Sequence, residues 1–142
     1  LTRLRGLNRF DMVFELLFLS MPTLWEVYND RRGDGDKFED AVIRSFCFAG
    51  GAIIIGRDAL DIFIAFNMAI AIHFLVFDYL IQYILIKNGT LEPPRGVKYH
   101  WFTYQAKSGV IDNIRFWRNM NPWVKLGIRV AYFTIALILF SK

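Results

Sequence analysis

The chain has 142 residues, 55% of them hydrophobic and 17% aromatic, with 17 Lys and Arg against 13 Asp and Glu for a formal net charge of +4. Soluble domains average about 45–50% apolar residues; here the excess is blocked at 10–28, 41–56, 60–86 and 123–140, which predicts one integral membrane domain, the alternative being a soluble helical bundle with an unusually apolar core. The single Cys47 excludes an internal disulfide and, between Phe46 and Phe48, reads as a packing residue.

Helix 1 is expected over about 10–28. Asp11, Glu15, Pro22 and Glu26 fall within about 60° of arc at 100° per residue, and Phe, Leu, Met, Val and Trp cover the rest. A narrow charged stripe of this kind suits an amphipathic helix lying in the membrane interface. The alternative is a span whose stripe faces a partner helix. No small-residue cleavage site follows, so this segment does not read as a signal peptide.

The loop at 28–41, YNDRRGDGDKFEDA, has the look of a calcium loop. Counting from Asp30, Asp34 and Gly35 fall where that motif wants them, but Arg32 occupies a ligand position and Ala41 stands where a bidentate acid is required. The stretch reads instead as a helix start. Asp36 caps, Glu39 completes a capping box, and Asp40 meets the positive end of the helix dipole. Arg32-Gly33-Asp34 is read as turn chemistry and not as an adhesion ligand.

Helix 2 then runs over about 37–56. Ala41, Ser45, Ala49, Ala52 and Gly56 make one stripe of small residues, a surface for close helix approach in lipid. Matching patches are expected at Ala65 and Ala69 on helix 3 and at Gly127 and Ala131 on helix 4.

A tight turn at Gly56-Arg57-Asp58 leads into helix 3, about 59–87, which stops at Lys87-Asn88-Gly89. Its intramembrane polar residues are Asn67, His73, Asp78 and Gln82. A charge in the bilayer interior is costly and raises a functional question, with pairing as the plain answer. Asp78 lies about 13 Å from the inner end of helix 3, and Arg129 about 9 Å from that end of helix 4, at 1.5 Å per residue. Arg129 is therefore the expected partner, with Arg44 on helix 2 second. His73 reads as a hydrogen-bonding group and not as a metal ligand, since no second His is near.

The loop at 88–122 mixes bases and aromatics. Arg95, Lys98, Trp101, Arg115, Trp117, Arg118 and Trp123 are expected at the lipid interface, facing anionic headgroups and not nucleic acid. Ser108 is expected to cap a short interfacial helix over 109–120, with Val110, Ile111, Ile114 and Trp117 on one face. Asn88-Gly89-Thr90 spells a glycosylation sequon that a cytoplasmic loop would leave unused. Helix 4 follows over about 123–140.

The expected fold class is thus all-α: three transmembrane helices, an N-terminal amphipathic helix that is interfacial or a fourth span, and a short interfacial helix. With the 88–122 loop cytoplasmic and helix 1 not spanning, only Arg57 and Lys142 lie outside, which satisfies the positive-inside bias. The C-terminus is then outside.

No nucleophile elbow, zinc-binding helix, phosphate loop or haem-type His pair is present. Asp34-Gly35, Arg44, Asp58 and Asp61 do not keep the spacing of membrane transferases that use CDP-linked alcohols. No cofactor, metal site or catalytic residue is therefore expected, and the enzyme question leans to no. The expected function is that of a noncatalytic membrane protein acting through helix packing, as an accessory subunit or as a homo-oligomeric bundle. One alternative is a small pore former, since holins are similar in size and span number. Another is a membrane enzyme or proton-coupled carrier using His73 and Asp78.

Overall fold

A single 29-residue helix organises the protein. The computed structural model describes residues 9–30, 37–89 and 114–142. The expected Asp36 cap, the Arg32-Gly33-Asp34 turn, Arg95, Lys98, Trp101 and Ser108 lie outside these residues. Every described element is helical: α1 (Arg9–Asp30), α2 (Lys37–Ile55), α3 (Ala59–Lys87), α4 (Arg115–Arg118) and α5 (Pro122–Ser141). The all-α class is therefore observed.

α3 is the axis, packed against α1, α2 and α5, while α1 and α2 also pack on each other. Its start is local chemistry: Asp58 is extended, and its side chain accepts from the Asp61 backbone N–H at 2.9 Å. Its end carries Lys87 in the last turn and Gly89 at φ 72° beyond it, a conformation open to glycine. α5 begins with Asn121 accepting from Trp123 N–H at 2.9 Å and with Pro122 in the first turn.

The α2–α3 return depends on Gly56. A Cβ there would stand 2.8 Å from the Ile62 backbone. Successive helices run antiparallel: Glu26 of α1 meets Arg44 of α2, while Phe18 and Leu19 flank Gly51 a further two turns along. The core runs the length of this contact, with Leu19, Phe48, Ala52, Ala65, Met68, Ala69 and Ile72, and continues to Ala136 and Phe140 on α5. The small residues of α3 let its neighbours approach closely.

Two helices, α3 and α5, are long and apolar enough to cross a membrane. At 29 and 20 residues they measure about 43 and 30 Å. α1 and α2 carry more charge along their length.

Several expectations need correction. Of the α1 stripe, only Asp11 is exposed; Glu26 is buried, beside Leu19, Thr23 and Val27, and the exposed face is Phe14, Leu17, Met21 and Trp25. The charged stripe therefore turns toward the bundle by its C-terminal half. The Gly127/Ala131 patch of α5 faces outward: both residues are exposed, and a Cβ on Gly127 would meet nothing within 4 Å. On α2, Ala52 is fully buried and Ala41, Ala49 and Gly56 are half-buried, but Ser45 is exposed and donates to the Ala41 carbonyl of its own helix at 2.8 Å. Of the expected 109–120 helix, residues 109–113 lie outside the described residues; Ile114 is extended and the described helix is Arg115–Arg118.

Candidate functional site

Two polar clusters lie on different sides of α3. Both are made of charges that apolar surroundings would penalise heavily if single.

The first joins α3 and α5. Arg129 is buried, and its Nη2 donates to Asp78 Oδ2 at 2.7 Å. Nη1 donates to the Phe74 carbonyl. The guanidinium also lies 4.6 Å from the Phe74 ring centroid, 5.1 Å from Tyr79 and 5.5 Å from Trp117. Three rings and a carboxylate thus replace water around one cation, and each desolvated ring contact is worth up to about 2 kcal/mol. Trp117 reaches this place from α4, tilted against Phe74 at 5.4 Å between centroids, and Lys125 Nζ lies 5.7 Å from its ring.

Trp117 was expected to face lipid; it is buried instead, as the floor of this cage. Its neighbours Arg115, Phe116 and Arg118 are exposed, as is Trp123 in the first turn of α5. Gln82, one turn beyond Asp78, is also buried. Among the described residues, Gln82 Oε1, Trp117 Nε1 and Arg129 Nε have no hydrogen-bond partner.

The second cluster joins α1, α2 and α3. Arg44 Nη1 donates to Glu26 Oε1, so Arg44 belongs to Glu26 and not to Asp78, which corrects the second expected pairing. His73 Nδ1 stands 3.3 Å from Thr23 Oγ1 and 4.0 Å from Glu26 Oε2. The imidazole is stacked on Phe77 at 4.6 Å and meets the edge of Phe48 at 5.7 Å. Arg44 also covers Phe77, at 5.9 Å.

Asn67 adjoins the first cluster through Tyr132, whose ring meets Phe74 edge-on at 6.2 Å. Its amide donates to the Phe63 carbonyl at 2.8 Å, and its Oδ1 accepts from Tyr132 Oη at 3.1 Å. Tyr132 ties α5 to α3 a second time.

The intramembrane polar residues named from sequence therefore separate. Asp78 meets Arg129, Asn67 meets Tyr132, and His73 joins Arg44 through Glu26 and the Phe77 ring. Sequence reasoning missed the roles of Glu26, Thr23, Tyr132, Phe74 and Lys125. The signal for Glu26 and Thr23 was present, since they are three residues apart on one helix face, but it required α1 to run alongside α2 and α3.

Chemically, each cluster sets a cation against a carboxylate. Among the described residues, no group of three His, Cys, Asp or Glu side chains gathers as a metal site. The chain matches no protein-family model, no curated protein and no solved structure.

Proposed function

We propose that the chain is a small noncatalytic integral membrane protein that acts through helix packing, as a self-associating bundle or as an accessory subunit of a membrane complex. One observation carries this reading: charge is turned inward and oil outward. Arg129–Asp78 and Arg44–Glu26 lie between helices, whereas Phe14, Phe46, Ile54, Phe63 and Ile135 stand exposed on the outer faces of α1, α2, α3 and α5. A water-soluble bundle of this size would expose its charges and bury those side chains. The outward hydroxyls agree with a lipid surround. Ser45 and Thr134 each donate to a carbonyl one turn back at 2.8 Å, which satisfies them where no water is available.

In this reading α1 and α2 cross the bilayer with α3 and α5, because α1 lies alongside both α2 and α3. The interfacial placement of α1 then gives way to its alternative, a fourth span. Arg3, Arg5, Arg9, Arg57 and Lys142 fall on one side and the remaining twelve of the 17 bases on the other, which still favours a cytoplasmic 88–122 loop. A carrier built on His73 and Asp78 together is less well supported, since the two residues belong to separate clusters.

The test is extraction and labelling. The protein should resist alkaline extraction from membranes. In a Cys47→Ser background, Thr2→Cys and Arg57→Cys should label from one side and Arg118→Cys from the other. Release at high pH, or labelling of all three positions from one side, overturns the reading.

A further inference from the structure

The groove beside α4 has a lining of mixed chemistry. It is a shallow, open depression of about 620 Å³, and among the described residues Arg115, Phe116, Asn119 and Met120 line it. Two of these offer hydrogen-bond donors and two are apolar. Phe116 is 75% exposed, too much for a ring whose role is packing within the chain. The groove lies just ahead of α5, one of the two helices able to cross a membrane. Trp123, in the first turn of α5, is 67% exposed, and tryptophan concentrates at the headgroup level.

We infer that this groove binds the headgroup phosphate of an anionic phospholipid. The guanidinium of Arg115 and the side-chain amide of Asn119 donate to the phosphate oxygens. Arg is suited to this task, because its planar fork presents paired donors and keeps its charge at any physiological pH. Phe116 and Met120 take the glycerol and the upper acyl chain. A free phosphate ion would use the donors alone, whereas a lipid also uses Phe116 and Met120. Arg118 lies on the same turn of helix but does not line the groove. It therefore separates a built site from general attraction between a basic surface and an acidic membrane. The inference rests on the membrane reading above.

The test uses the full chain in detergent and native mass spectrometry, with phosphatidylglycerol and phosphatidylcholine offered at equal concentration. The wild type should retain phosphatidylglycerol several-fold over phosphatidylcholine. Arg115→Gln should abolish that preference, Asn119→Leu should weaken it, and Arg118→Gln should leave it in place. Inorganic phosphate should not displace the lipid. Equal retention of the two lipids by the wild type, equal loss in Arg115→Gln and Arg118→Gln, or displacement by inorganic phosphate each overturns the site. Flotation with pure phosphatidylcholine vesicles reports separately on the membrane reading. A chain that floats but shows no lipid preference loses only the site; a chain that does not float loses both.

Discussion

Arg129 on α5 reaches Asp78 on α3 across 51 residues of sequence, at 2.7 Å, with the guanidinium 5% exposed and the carboxylate 27% exposed. The two partners are unequal. Asp78 keeps some access to its surroundings; Arg129 does not, and three rings and the Phe74 carbonyl stand where its hydration would be. The cost of breaking the pair therefore depends on which residue is removed.

Asp78→Asn leaves a full charge in a buried place, and its expected cost is about 2–3 kcal/mol, at or below the low end for broken buried pairs because the carboxylate is partly exposed. Arg129→Gln leaves the more accessible carboxylate and should cost less through charge, although it also empties the cage. The double substitution should recover part of the summed loss, since one uncompensated charge is worse than none. Thermal unfolding of all four proteins in detergent measures this, and strict additivity would show that the residues are not energetic partners.

The α1–α2 pair should behave in the opposite sense along the chain. Here Glu26 is the buried member at 5% side-chain exposure, and Arg44 is 21% exposed. Arg44→Gln removes the guanidinium from a buried carboxylate and should lower stability by about 2–3 kcal/mol, more than Glu26→Gln. The reverse order, in the same unfolding assay, would mean that the cation and not the carboxylate is the group most dependent on this contact.

Trp117 gives a cleaner distinction between packing and lipid anchoring. Trp117→Ala should destabilise the fold by about 3 kcal/mol, as expected for emptying a buried aromatic site. Trp117→Phe should cost no more than about 1–2 kcal/mol, because the indole N–H has no hydrogen-bond partner among the described residues and a ring face is kept beneath Arg129. Unaltered unfolding of Trp117→Ala, with weakened vesicle binding, would return the residue to the lipid interface.

Helix 2 tests the small-residue contact position by position. Ala52 is fully buried, so Ala52→Leu should overpack the α2–α3 seam and cost about 1–3 kcal/mol. Ala49 is half-buried and its leucine variant should cost less. Gly56→Ala should be damaging despite its size, because the added carbon would meet Ile62 backbone at 2.8 Å, whereas Gly127→Ala should be harmless or mildly stabilising. Equal tolerance of Gly56→Ala and Gly127→Ala would show that the α2–α3 turn relaxes without cost.

The sequence by itself determined what depends on neighbours a few residues away. Four apolar runs and their polar stops forecast helices, and Asp58 and Pro122 mark starts through bonds or dihedrals within one turn. Rise per residue is also local, so counting along α3 and α5 brought Asp78 and Arg129 to similar depth. Facing is not local. Whether the α1 stripe met water or Arg44, whether Trp117 met lipid or Arg129, and whether Gly127 met a helix or nothing were decided by how helices distant in sequence packed. A helix face is amphipathic in sequence, but the energy of burying it arises only when a particular neighbour removes the water or lipid from it. That neighbour was visible only once α1, α2 and α5 had been assembled around α3.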